Sequence, residues 1–345
     1  IGTMKKKMLT IVNPISGTKS KSDAHSLLET YLNKDLFDYE IRYTDHPGHA
    51  TEMARKAAEN GYDIVVAVGG DGTVNEVARS LVNTPTALAI IPCGSGNGLA
   101  RHLFIPMQPV DAIHVLNDCE IRALDYGTIN DYPFFCTCGM GFDAYISQKF
   151  AEAGKRGPAT YVEYVLREGL KYKPETYEIQ DEEGVTYQKA FLISVANASQ
   201  YGNNAYIAPQ ASMSDGLMDV VIMEPFDILD APQISIDLMN KTIDKCSKIK
   251  TFRTQHIHIH RKHPGVVHYD GDPVMMGQDI DINIHPGKIN IVVNASADRT
   301  QRQPNLIQSS AAQMLNEVSV IREDLTKRQR KVMALGKLLQ RKLIK

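Results

Sequence analysis

The feature that most narrows the fold is the apolar run Val65-Val66-Ala67-Val68, which breaks directly into Gly69-Gly70-Asp71-Gly72-Thr73-Val74-Asn75-Glu76. A β-branched run ending in glycines and then in helix-forming residues reads as strand, turn and helix, because glycine tolerates close approaches that a Cβ would block. Two similar junctions flank it. Leu9 to Val12 runs into Asn13-Pro14-Ile15-Ser16-Gly17, and Leu88 to Ile91 runs into Pro92-Cys93-Gly94-Ser95-Gly96-Asn97-Gly98-Leu99-Ala100. With helical stretches at Ser22 to Asn33 and His49 to Asn60, the pattern predicts a doubly wound parallel sheet with helices on both faces. Turns that end the strands of such a sheet gather at one edge, where ligands bind.

Beyond Tyr132 the character changes. Phe191 to Ala196, Met218 to Met223, His256 to His260 and Ile280 to Ile284 alternate β-branched and polar residues, which predicts an antiparallel β-sandwich. Ile289 to Val293 reads as a last buried strand, and Ala144 to Lys173 as helical in its second half, after a loop at Gly154 to Pro158. The expected division is an α/β nucleotide-binding domain over 4–130 joined by a late strand from 286–295, a β-rich substrate domain over 131–285, and a basic helical extension over 296–345. In that extension Val318, Ile321, Leu325, Val332, Leu335 and Leu339 follow a heptad-like spacing, and basic residues outnumber acidic ones from Arg322 onward. Such a segment fits an anionic membrane surface, a homodimer helix or packing on its own chain.

A formal net charge of −2 over 345 residues gives no global attraction for nucleic acid. Five cysteines with neither paired zinc spacing nor a disulfide framework point to a reducing cytoplasm. Met4 reads as the initiator, and the apolar run Met8 to Val12 is too short for a signal peptide or a membrane span.

None of the three turns has the spacing of a P-loop or of the Rossmann fingerprint. Asp71 among glycines would repel phosphate unless a magnesium ion lay between them, and Thr73 is placed to cap a helix whose first amides favour anions. Ser95 and Asn97 add donors. Tyr269-Asp270-Gly271-Asp272-Pro273 is a tight turn that projects a carboxylate, either as a structural β-turn or as a base. His256, His258 and His260 share one strand face and read as an exposed polar face. Cys136 and Cys138 read as buried thiols on one face of a strand.

Gly69 to Glu76 and Pro92 to Ala100 resemble the signature turns of the diacylglycerol kinase catalytic domain family. Asn13-Pro14-x-Ser16-Gly17 is similar to the family's first nucleotide turn, Thr44 before Gly48-His49-Ala50 to its adenosine-side segment, and the likeness runs to about Ala295. The Gly-Ser-Gly-Asn form of the second turn is similar to sphingosine kinases. The resemblance implies a lipid kinase that uses ATP and Mg²⁺, attached peripherally to a membrane and acting on diacylglycerol or a sphingoid base. It implies that Asn13, Ser16, Gly17, Thr44, Gly69, Gly70, Asp71, Gly72, Thr73, Asn75, Gly94, Ser95 and Asn97 hold the nucleotide. Asp272 would accept the proton, with Asp71 beside it in the chemistry.

By the same resemblance, Asp215 and the carbonyls of Ser212 and Leu217 would hold a structural Mg²⁺, and Asp143 would meet the lipid head group. Lys155 and Arg156 would clamp phosphates or form a solvated loop. Two positions depart from the family: Gly98 stands where many bacterial members have Asp, and Asp272 where Glu is usual. An NAD kinase shares the Gly-Gly-Asp-Gly turn, although Gly94 to Asn97 and Asp270-Gly271-Asp272 speak against it. A non-catalytic lipid or nucleotide sensor is the alternative of another class.

Overall fold

Four strands, β1 (Lys6–Val12), β2 (Phe37–Tyr43), β3 (Ile64–Gly69) and β4 (Ala87–Pro92), pair in parallel in the order β2-β1-β3-β4. The computed structural model describes residues 4–15, 21–153, 165, 168–169, 171–227 and 229–297. Ser16, Gly17, Lys155, Arg156 and the basic extension therefore lie outside the described residues. Every residue of β3 and β4 is buried, as expected of strands covered on both faces.

Helices α1 (Lys21–Tyr31), α2 (His49–Glu59) and α3 (Asp71–Leu81) follow β1, β2 and β3. Helix α2 buries Ala50, Met53, Ala54 and Ala57, a stripe at helical spacing, and packs against α3, which buries Val74, Val77, Ala78 and Leu81. After β4 come the short α4 (Gly98–His102) and α5 (Pro109–Asp118), which packs against α1. Because β2 and β3 lie on opposite sides of β1, the chain reverses there, and this is the switch point where ligands of open α/β sheets bind.

The same sheet continues into the second half of the chain. Strand β5 (Ile121–Ile129) is followed by β6 (Tyr132–Phe134), β7 (Thr137–Gly141), α6 (Phe142–Ala153), β8 (Glu175–Asp181), β9 (Gly184–Ala190) and β10 (Leu192–Ala196). Then come β11 (Met218–Met223), α7 (Ala231–Asn240), β12 (Ile249–Thr254), β13 (His256–Arg261), β14 (Gly265–Tyr269), β15 (Asp272–Met276) and β16 (Asp279–Val292). Beyond β4 the first sheet reads β16-β13-β8-β9, with β5 beside β16 and β6 beside β5. A second, six-stranded antiparallel sheet has the order β12-β11-β10-β7-β14-β15.

The two sheets share one core, in which Ile257, Ile259, Ile280 and Ile282 of the first meet Met140, Ile193, Val220 and Val267 of the second. Each such side chain contributes about 1.5–3 kcal/mol on burial. The architecture is the α/β plus antiparallel sandwich that the sequence predicts.

Three details differ from the sequence reading. Ile280 to Ile284 and Ile289 to Val293 are one strand rather than two: β16 runs from the sandwich core into the α/β core, and its register on β5 shifts between His285 and Ile289. A helix not expected from the sequence, α6, fills the first half of 144–173 and starts where Gly141 (φ +93) turns the chain out of β7, while in the second half, where a helix is expected, the described residues Val165, Glu168 and Gly169 are helical. Cys136 and Cys138 are both buried, but not on one face. Cys136 precedes β7 and packs in the α/β core, while Cys138 packs between the sheets.

Candidate active site

The ends of β1, β3 and β4 are laced together by backbone hydrogen bonds, Asn13 N to Val68 O at 3.0 Å and Cys93 N to Gly69 O at 2.8 Å. Beyond them the two glycine turns touch backbone to backbone. A Cβ on Gly94 would lie 2.5 Å from Gly70 Cα, and one on Gly96 would lie 2.5 Å from Asp71 Oδ2. Close approach, not flexibility, is the reason for glycine here.

Asp71 joins the turns. Its Oδ2 accepts the Asn97 amide at 2.8 Å and its Oδ1 the Gly98 amide at 2.7 Å, so it caps α4 from a different element. Burial raises its pKa, opposed by those two amides and by Arg101. Arg101 is itself buried and donates from Nε to Gly96 O at 2.9 Å.

The other nucleotide residues named from sequence fall into place unevenly. Asn97 turns inward: its Oδ1 accepts Gly94 N at 3.1 Å and its Nδ2 donates to Gly94 O at 2.7 Å, so it shapes its own turn rather than presenting a donor outward. Thr73 does not cap α3, because the helix already begins at Asp71. Its hydroxyl instead accepts Asn13 Nδ2 at 3.0 Å. The N-terminus of α3 has no side-chain cap, which leaves its first amides to an anion. Gly72 and Ser95 are exposed, with open space around the Gly72 Cα, and Thr44 is tied by its amide to Val12 O at 3.0 Å.

The Asp270-Gly271-Asp272 turn, between β14 and β15, faces these glycine turns. Asp270 takes a positive φ of 48° and its carboxylate points inward. It accepts the amides of Phe135 at 2.8 Å, Cys136 at 2.7 Å and Thr137 at 3.1 Å, and the Asn75 side chain at 2.7 Å. Burial pushes its pKa up to about 6 against the pull of these donors.

Asp272 points the other way. Its side chain is half exposed and lies 4.0 Å from Arg79 Nη2 of α3. Burial raises its pKa, Arg79 lowers it, and Glu76 and Asp71 raise it again, so Asp272 shares one electrostatic site with the glycine turns.

Asp143, named from sequence as a head-group residue, starts α6 and is buried. Its Oδ1 accepts the Ala144 amide at 2.7 Å, and its Oδ2 lies 3.0 Å from His268 Nε2 and 3.3 Å from Tyr201 Oη. His268 is also buried and sits on β14, two residues before Asp270, with Gly271 N 3.4 Å from its Nδ1. A side chain on Gly139 would strike both Asp143 and His268.

In the Ser212 to Leu217 loop, Asp215 accepts the Leu217 amide at 3.1 Å and lies 3.6 Å from Arg253 Nη1. The loop is held from below by the buried Asp125, which accepts Gly216 N and Gly287 N at 2.8 Å each. Sequence reasoning missed Asp125, Arg101 and His268. The histidine face was expected, but its acids were not. Asp281 lies 3.2 Å from His256 and 3.0 Å from His258, and Asp279 lies 3.3 Å from His258 and 2.8 Å from His260.

With this geometry, likeness to known proteins can be placed on residues. The diacylglycerol kinase catalytic domain profile matches residues 7–129, and that of the YegS C-terminal NAD kinase beta sandwich-like domain matches 136–293. A protein named probable lipid kinase YegS-like, from Pectobacterium atrosepticum, is 30% identical over 205 residues, covering 57% of this chain and 69% of that one. The chain belongs to the diacylglycerol kinase catalytic-domain family.

A namesake of that relative from Chromohalobacter salexigens is 29% identical over 239 residues, covering 68% of this chain and 77% of its own. A solved diacylglycerol kinase from Bacillus anthracis has the same fold, with TM-score 0.66 and 22% identity over 85% of this chain and 99% of its own. The family's catalytic-domain match takes in both glycine turns, and its sandwich match takes in Asp143, the Ser212 loop and Asp272. Among the described residues no helix is long and apolar enough to cross a membrane.

Proposed function

We propose that the chain transfers the γ-phosphoryl group of Mg-ATP to the hydroxyl of a membrane lipid, diacylglycerol or a sphingoid base, from the membrane surface. One observation carries the reading: the half-exposed Asp272 faces the glycine turns across Arg79, on a turn that Asn75 and Asp270 fasten to α3. A base and a phosphate cradle thereby sit on one rigid unit, and phosphoryl transfer needs little else from a protein than such positioning.

The residues present fit the nucleotide. The uncapped start of α3 and the open space at Gly72 suit phosphate oxygens. Asp71 has two oxygens engaged by amides, and a carboxylate has about four lone-pair sites, so it retains acceptors for a magnesium ion. Bound Mg²⁺ neutralises charge on the phosphates.

A second Mg²⁺ would find oxygen donors alone at Asp215, Ser212 and Leu217, the donor type this ion takes, with Arg253 competing for the carboxylate. Asp272 takes the hydroxyl proton; burial raises its pKa and Arg79 opposes that rise. Asp143, held by His268 and Tyr201, would meet the lipid head group.

Radiolabelled ATP with mixed lipid extract and NAD, followed by mass spectrometry of labelled products, tests the reading. Label in a lipid supports it. Label in NAD alone would establish the NAD kinase reaction, and nucleotide binding with no label in anything would leave a sensor.

A further inference from the structure

Strand β9 ends the ten-stranded sheet, and among the described residues only β8 pairs with it. We propose that its free edge pairs with the same edge of a second copy of this chain, antiparallel and centred on Thr186.

The hairpin decides which backbone groups are free. Asp181 and Gly184 face each other across the turn Glu182-Glu183. In a two-residue hairpin the pair that flanks the loop is hydrogen-bonded, and bonded and non-bonded pairs alternate from there. Thr186 and Gln188 are therefore bonded to Ile179 and Tyr177, while Val185, Tyr187 and Lys189 turn their N–H and C=O groups away from β8. Such an edge is a template for another strand, and proteins blunt it with proline, a bulge or charge. Strand β9 keeps an unbroken register on β8 over seven residues, has no proline, and carries one charged side chain, Lys189.

Its side chains sort by face. On the sandwich side, Gln188 Oε1 accepts Lys250 Nζ of β12 at 3.2 Å and Ala190 is buried in the core that the two sheets share. Val185 and Tyr187 lie on the outer face with Lys189, and they are 50% and 69% exposed. An apolar pair therefore stands in water beside a row of unused backbone donors and acceptors.

These residues select the partner and the register. Two antiparallel copies centred on Thr186 set Val185 of each against Tyr187 of the other, and every such pair brings outward N–H and C=O groups together, so it exchanges both hydrogen bonds. Aromatic with β-branched, and threonine with threonine at the centre, are favourable cross-strand pairs. Lys189 of each copy comes beside Glu183 in the acidic turn of the other. Moving the centre to Tyr187 would set Lys189 against Val185 and Glu183 against Phe191, which leaves both charges unmatched. The edge thus complements itself, as a closed two-fold interface requires. It uses no residue given a role in phosphoryl transfer, so it does not depend on that reading.

Light scattering on the full chain during size-exclusion chromatography, combined with cysteine cross-linking, tests this without lipid or ATP. The parent should be a dimer. Thr186→Cys sets two thiols on a non-hydrogen-bonded pair with Cα atoms about 4.5 Å apart, within disulfide reach, so mild oxidation should link the copies. Val185→Cys faces Tyr187 rather than its own copy and should link no more than the parent does. Tyr187→Pro removes an N–H that β8 does not use, so the hairpin should persist while dimer affinity falls at least about tenfold. Lys189→Glu, at an exposed position, should also weaken the dimer, and adding Glu183→Lys to it should restore the affinity. A monomeric parent, a dimer as tight in both Tyr187→Pro and Lys189→Glu as in the parent, or equal cross-linking at positions 185 and 186 would each overturn the proposal.

Discussion

Asn75 donates its side-chain amide to Asp270 over 2.7 Å, joining residues 195 positions apart. The bond ties the helix that opens with the glycine turn to the turn that carries Asp272. Its two ends lie in the matched catalytic-domain and sandwich segments, so the contact helps to register the site's two halves.

Asn75→Ala should therefore lower both stability and turnover. Asp270 would keep three backbone donors but lose the fourth, and a hydrogen bond to a charged group is worth about 1.5–3 kcal/mol. Urea unfolding measures that loss. Turnover should fall more than the folded fraction does, because Asp272 loses its fixed distance from the glycine turns. A variant with parental stability and turnover would show that the contact is incidental.

Two glycines separate shape from ligand approach. Gly94→Ala puts a Cβ against the Gly70 backbone, which has no flexible end to move, so the turns must part at about 1–3 kcal/mol and nucleotide affinity should fall. Gly72→Ala meets nothing and lies inside α3, so it should stabilise the fold by about 0.5–1 kcal/mol. If phosphate approaches Gly72 as proposed, that more stable variant should still bind ATP more weakly. Calorimetric titration beside thermal melts reads both quantities, and undiminished ATP binding by Gly72→Ala would move the phosphates elsewhere.

The acid limb of the pH profile follows from Asp272 and Arg79. If Asp272 is the base, as proposed, it acts when ionised, so kcat/KM falls as pH drops through its pKa. Burial raises that pKa above the usual carboxylate value and the Arg79 guanidinium lowers it. Removing the positive charge with Arg79→Gln must make the carboxylate easier to protonate, and the acid limb should move to higher pH. The move should be modest, because Asp272 is half exposed and solvent screens the pair. A limb that stays put or moves to lower pH would separate Arg79 from the base.

What was legible in the sequence was whatever is buried continuously or fixed by a local turn. Strands β1, β3 and β4 read clearly because both faces are covered, whereas β2, Phe-Asp-Tyr-Glu-Ile-Arg-Tyr on the sheet edge, mixes charges into its pattern and was passed over. Pro286 and Gly287 punctuate β16 as a loop would, and only its pairing with β5 on both sides of the bulge shows one strand. Asp125 could not be found from spacing, since its partners Gly216 and Gly287 lie 91 and 162 residues away. The direction of a carboxylate was equally hidden: Asp270 and Asp272 look alike in a chain of letters, and a positive φ turns one inward.

That difference decides the last prediction. Asp270 has four donors on its two oxygens and is pinned under the turn, so it is not free to reach a substrate hydroxyl. Asp272 accepts no such set of donors among the described residues: it lies 4.0 Å from Arg79 and faces the glycine turns. Asp272→Asn should thus reduce turnover by about 10²- to 10⁴-fold, the usual worth of a general base, with ATP affinity nearly unchanged because the loss falls on the transition state. Asp272→Glu restores the residue common in the family and extends the carboxylate by one methylene toward the cradle, so it should retain substantial activity. Asp270→Asn should behave differently. It replaces an acceptor for four donors with an amide that accepts through one oxygen, so its first effect should be on unfolding in urea. Steady-state kinetics and unfolding curves on the three variants separate the two roles, and an Asp272→Asn enzyme with near-parental turnover would transfer the proton to water.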